Sequence, residues 1–248
     1  MTVTLRIPLL SLRIRFSCLN LGCYFFHIKT TFSIMENALV WLKRIRNTIG
    51  FLGMLLPWIA LLGTFLASKH IDLTLTFWKE LSISATYYVT PTLTGIITTA
   101  AVVLICYYGY GPKDDIPTTA AGVFGLMIVL FPCSCELSAG KIVGFFQLQA
   151  ETSHIIHCIS AVCFFLLLSY ISLFLFTKSY PDKEQTEQKK TRNKIYITCG
   201  IGMLAALIFI PLPILFPAKI FIVEAIALTF FGISWLVKGQ AFGLFADK

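Results

Sequence analysis

Six apolar runs, at about 49–67, 91–110, 117–133, 154–176, 195–216 and 220–237, dominate the chain. Each is near the roughly 20 residues that a helix needs to cross a hydrocarbon core about 30 Å thick. Lipid offers backbone N–H and C=O groups no water, so runs of this length close their hydrogen bonds internally as helices. Barrel strands would instead alternate polar and apolar in segments of about ten residues. The pattern predicts an all-α fold, a polytopic transmembrane bundle of six helices over residues 35–248. Composition agrees: of 248 residues 57% are hydrophobic and 13% charged, against roughly 25% charged in a soluble domain. That excludes an ordinary soluble enzyme, and the apolar share excludes a disordered tail protein.

The net charge of +8 is unevenly placed. Arg6, Arg13, Arg15 and Lys29 lie in residues 1–34, which hold no acidic residue. Their spacing leaves an uncharged stretch of only thirteen residues, Phe16 to Ile28, too short to span. Three readings stand for this segment: an amphipathic surface element, a targeting leader, or an extension upstream of a true start at Met35. The last is favoured, because Met35-Glu-Asn-Ala-Leu-Val-Trp-Leu-Lys-Arg-Ile-Arg reads as a cytoplasmic beginning with Trp41 as an interfacial anchor.

Between the runs the basic residues sort to one side. With the segment before the first run inside, the inner loops hold twelve Lys and Arg, among them Lys43, Arg44, Arg46, Lys113, Lys178 and Lys238. The outer loops hold four: Lys69, Lys79, Lys141 and Lys219. This bias places both termini in the cytoplasm and makes 178–194 the main cytoplasmic loop. Basic groups distributed in this way set orientation in a cell membrane and contact lipid; nucleic acid is not an expected partner.

Helix punctuation follows. Asp115 ahead of Pro117 suits a helix start near 117, and Lys113-Asp114-Asp115 reads as a solvated turn with a cap. Pro57, Pro211 and Pro213 should kink or break their helices. Gly50, Gly53 and Gly63, Gly122 and Gly125, and Gly200 and Gly202 offer small surfaces for close helix approach. Tyr107, Tyr108, Tyr110 and Trp235 read as an inner aromatic belt.

The same topology gathers ionisable groups at the outer face: His70, Asp72 and Glu80 in the first outer loop, Glu136 and Glu151 in the second, then His154 and His157. Glu224 falls about one turn inside the last helix, where a charged group is costly and needs a partner, with Lys219 or a histidine in reach. Glu151, His154 and His157 are three apart, on one face of a helix. Two imidazoles so placed could hold zinc if His70, Asp72 or Glu224 supplied a third ligand, leaving a position for water that attacks a lipid ester. The plainer reading is a hydrogen-bonded outer cluster with no cofactor, and a third is a proton-coupled transporter built on Glu224 and the histidines. Cys133 and Cys135 flank Ser134 at the outer end of the third run, either as reduced thiols or paired, for instance with Cys158. The hydroxyl-rich passage Ser82 to Thr99 either lines a polar pocket or bonds back to helix carbonyls.

The order of these features carries a resemblance. Tyr87-Tyr88-Val-Thr-Pro91-Thr, Leu130-Phe131-Pro132-Cys133 and Ser153-His154-Ile-Ile-His157-Cys-Ile-Ser160-Ala resemble uncharacterised bacterial six-helix membrane proteins. These form a domain-of-unknown-function group loosely similar to DRAM and Frag-like proteins. The likeness spans most of 35–248 through short motifs; it implies the six-helix fold and brings no activity with it. A more distant likeness is to alkaline ceramidase and progestin-receptor-like hydrolases, whose metal site combines Ser, Asp and three His. The chain departs from them in having six helices and histidines three apart. The resulting expectation is a membrane protein with a polar pocket at its outer face, either a lipid-facing or accessory protein, a metal-dependent lipid hydrolase, or a small transporter.

Overall fold

The apolar runs are helical in the computed structural model, which describes residues 2–7, 10–15, 21–107, 112–179, 185–209 and 220–243. Seven α-helices are found among the described residues: α1 (Leu21–Ala67), the short α2 (Leu75–Lys79), α3 (Thr92–Ile105), α4 (Pro112–Leu130), α5 (Ala150–Tyr170), α6 (Glu187–Phe209) and α7 (Ile220–Lys238). Four helical segments are long and apolar enough to cross a membrane, Glu36–Ala67, Ala150–Leu175, Glu187–Phe209 and Ile220–Lys238. The 14 residues of α3 rise only about 21 Å. In α4 the charges of Asp114 and Asp115 occupy the first turn.

The six long helices form a ring. Chain neighbours α3 to α7 pack in sequence, α1 packs on α3, and α7 returns to α1. Each presents a different set of residues to the two sides. On α5, Ser153, His157, Ser160 and Phe164 are buried while Ile155, Ile159, Val162 and Leu166 are exposed. Polar groups thus turn inward and apolar ones outward, the arrangement that suits a lipid surround. Trp58, Phe65, Ile201 and Ile222 continue the exposed apolar surface on α1, α6 and α7.

The α1–α7 seam shows why glycine stands where it does. A Cβ on Gly232 would lie 2.7 Å from the Gly50 carbonyl oxygen, and one on Gly50 would lie 2.9 Å from that of Gly232. The two backbones touch, and no side chain can move aside to relieve a methyl group. α1 runs unbroken through Pro57, so of the kink or break expected there the break does not occur. Pro211 and Pro213 lie outside the described residues.

Several boundaries shift from those the runs suggest. α4 starts at Pro112, five residues before the expected point, because proline suits a first helical position and Asp114 and Asp115 suit the first turn. α6 starts at Glu187 inside the polar loop, where Lys190 reaches back 2.8 Å to Glu187. Ahead of the bundle, Thr2–Ile7 and Leu10–Arg15 pair as an antiparallel hairpin with Leu5 opposite Leu12, and α1 runs on through Met35. A second, two-residue pair, Ile142–Val143 with Leu148–Gln149, lies in the second outer loop.

At its C-terminal end α5 continues as a π-turn, Ile171–Leu175, closed by Phe176 N–H on the Ile171 carbonyl at 2.9 Å. There Ser172 donates to the Tyr196 carbonyl at 2.9 Å and sits 2.7 Å from the Ser234 hydroxyl, joining α5, α6 and α7. The ammonium groups of Lys189 and Lys238 both reach the Phe176 carbonyl, at 3.0 and 3.4 Å. Lys178 pairs with Asp114. Tyr107 and Trp235, expected as belt anchors, are instead core: Trp235 is 1% exposed and stacks edge-on with Tyr107 and Phe176. Tyr108 and Tyr110 lie outside the described residues. Gly232→Ala is expected to cost about 1–3 kcal/mol, read as a lower midpoint in thermal unfolding of the detergent-purified protein.

Candidate functional site

The ring encloses a cavity of about 440 Å³ that opens among the α1–α3 and α4–α5 connections, the loops expected outside. Its mouth is formed by Glu80, Ser82, Ser134, Glu136 and His154, and its inner walls by Leu56, Ile97, Phe164, Leu207 and Leu228. Between mouth and walls stand Ser84, His157 and Glu224.

Loop packing builds the mouth. Thr74 caps α2 by accepting the Phe77 N–H at 3.1 Å, and its hydroxyl donates to Glu136 at 2.6 Å, tying the two outer loops together. The Tyr88 hydroxyl donates to the Cys133 carbonyl at 2.7 Å, and burial pushes its pKa up to about 12, so it keeps its proton and this bond across the ordinary pH range. Cys133, Cys135 and Cys158 are all free thiols, and all three line the cavity.

The deeper polar groups come from three elements. Ser84 opens a 3₁₀ turn, Ser84–Tyr88, that the first outer loop inserts into the bundle before α3. Glu224, fifth residue of α7, meets that turn: one carboxyl oxygen accepts the Ile83 N–H at 2.6 Å and the other lies 3.5 Å from the Ser84 hydroxyl. Among the described residues the partner of this buried carboxyl is a backbone N–H rather than a histidine; Lys219, the lysine expected in reach, lies outside the described residues. A carboxyl group so placed satisfies a donor that would otherwise be stranded.

His157 completes the group. Its Nδ1 faces two carbonyl oxygens, Ile128 at 3.2 Å and Phe131 at 3.0 Å, while Nε2 lies 3.1 Å from the Ser84 hydroxyl. A nitrogen facing two acceptors must be the one carrying hydrogen. Nε2 of the neutral ring is then the acceptor, and the Ser84 hydroxyl donates to it. The carbonyls that hold the ring belong to the last turn of α4 and the residue after it, so the α4–α5 packing fixes the imidazole. His154, one turn earlier and exposed, accepts the Ser134 N–H at Nδ1, 3.2 Å, and brings Nε2 within 3.5 Å of the Cys158 sulfur.

Of the residues singled out by sequence, the structure brings Glu224, His154 and His157 to one cavity. His70, Asp72 and Glu151 are exposed and do not line it. No group of three or more His, Cys, Asp or Glu side chains that could hold a metal is found among the described residues. Both nitrogens of His157 already have protein partners. The residue that sequence reasoning left in the background is Ser84, one hydroxyl in a passage full of them. Its neighbours divide as that passage allowed: Thr86 and Thr99 bond back to the Ile83 and Gly95 carbonyls, and Ser82 accepts the Ala85 N–H.

Glu224→Leu should strand the Ile83 N–H and lower stability by about 1–3 kcal/mol, whereas Glu224→Gln keeps an acceptor there and should lose less; denaturation of both variants beside the parent protein checks the order. Comparison with protein-family models, with curated proteins and with solved structures finds no match to this chain.

Proposed function

We propose that this chain is a six-span membrane protein with both termini in the cytoplasm, and that its outer-face cavity holds a membrane amphiphile, with the polar end near Ser84 and His157 and the apolar chain below. The observation that carries this reading is the layering of the cavity. A space of about 440 Å³ falls within the range of small-ligand sites. Its polar groups are concentrated at the mouth and middle, and its far walls are leucine, isoleucine and phenylalanine. A ligand that matches is itself polar at one end and apolar at the other, and the bilayer supplies such molecules.

The orientation has support in the packing of the other end. Arg46 donates to the Tyr107 hydroxyl at 3.0 Å, and Lys178, Lys189 and Lys238 reach Asp114 or the Phe176 carbonyl. The basic side chains of the α1 lead-in, the loop before α6 and the end of α7 thus gather at one end of the bundle, as positive-inside placement requires. The short α3 and the charged first turn of α4 belong to spans that begin or end within this basic layer.

Two measurements test the proposal. Mass spectrometry of the gently solubilised protein should detect a co-purifying amphiphile at close to one per chain, and Ala161→Trp, which places an indole in the cavity wall, should remove most of it. Retention of the same lipid by a folded Ala161→Trp protein, or no lipid in the parent, would sink the cavity reading. For orientation, a reporter that fluoresces only in the cytoplasm should be bright when fused after Lys248 and dark when fused after Gly140. The reverse pattern would invert the topology.

A further inference from the structure

The contact between Ser84 and His157 has the makings of more than a binding contact. The hydroxyl has one hydrogen to give, and its imidazole contact at 3.1 Å is closer than its carboxyl contact at 3.5 Å. The acceptor is the Nε2 lone pair, because Nδ1–H is committed to the Ile128 and Phe131 carbonyls. A hydroxyl on an imidazole whose other nitrogen is held by a third group is the arrangement that activates a nucleophile. Backbone carbonyls here fill the orienting place often taken by a carboxylate. All of this lies on the wall of a cavity that is apolar on one side of Ser84 and open to polar loops on the other.

We propose that Ser84 and His157 are a nucleophile and general base that cleave the ester of an amphiphile held in this cavity; the proposal rests on the amphiphile reading given above. The Ser84 oxygen bonds to the ester carbonyl carbon while its proton passes to His157 Nε2. The ester C–O bond then breaks, and the leaving alkoxide takes that proton and departs as an alcohol. Water from the mouth, deprotonated in turn by His157, attacks the acyl-serine. The Ser84–acyl bond breaks, the proton returns to the Ser84 oxygen, and a fatty acid is released. Glu224 holds the turn in place through the Ile83 N–H.

The test is covalent labelling of the full chain in lipid nanodiscs with a long-chain alkyl fluorophosphonate, in which a serine oxygen displaces fluoride from phosphorus. Peptide mapping should place the adduct on Ser84. Ser84→Ala should lose it, and His157→Gln should slow it by about 100-fold or more, in line with loss of a general base. Absence of an adduct on Ser84 in the parent protein overturns the proposal, as does an unchanged rate in a His157→Gln protein that elutes like the parent. If His157→Gln does not fold, the parent and Ser84→Ala samples decide on their own. Co-purified lipid without labelling would refute the chemistry and leave the cavity reading standing. Labelling without lipid would do the opposite.

Discussion

A carboxyl group placed inside a membrane helix has to find a donor in the protein, because the surrounding lipid has none. Glu224 finds the Ile83 N–H, and much of the outer half of the molecule follows from that pairing. To present that N–H, the first outer loop cannot remain outside; it dips into the bundle as the 3₁₀ turn that begins at Ser84. The dip sets Ser84 against His157 on the wall of the cavity. The carboxyl thus specifies where a loop goes, a use of buried polar groups that hydrophobic packing cannot reproduce.

The opposite half of the bundle obeys the same requirement with different groups. There the π-turn Ile171–Leu175 takes one hydrogen bond out of the ordinary α ladder, and the Phe176 carbonyl beyond it accepts two lysine ammonium groups. Ser172 meets Ser234 and the Tyr196 carbonyl at the same level. The two ends of the bundle are polar, and the section between them is held by packing, with the Gly50–Gly232 and Gly122–Ala101 backbones in close approach.

What could be read from sequence was what depends on one-dimensional pattern. Long apolar runs gave the helices, and α7 came within a residue of its expected bounds. The grouping of Glu224, His154 and His157 at one end of the bundle followed from counting crossings. The pairing of Glu224 could not be read, because its partner is a backbone N–H 141 positions away and backbone donors leave no mark on composition. Ser84 was hidden among equivalent hydroxyls for the same reason: only the fold distinguishes it from Thr86, which bonds its own turn. Trp235 looked like an interfacial anchor because its position near a helix end fits both roles, and burial alone separates them. The alternation in Thr2–Ile7 and Leu10–Arg15, a strand signal of period two, was overshadowed by the count of arginines.

The cavity lining carries three glutamates, at 80, 136 and 224, and, among the described residues, no lysine or arginine. Such a space has a sign. A neutral molecule meets no like charge at its mouth, whereas an anion has to pass the exposed Glu80 and Glu136 carboxylates there. The lining therefore selects twice, by charge at the mouth and by apolar area on the floor, and favours an uncharged molecule with an apolar chain over the corresponding anion.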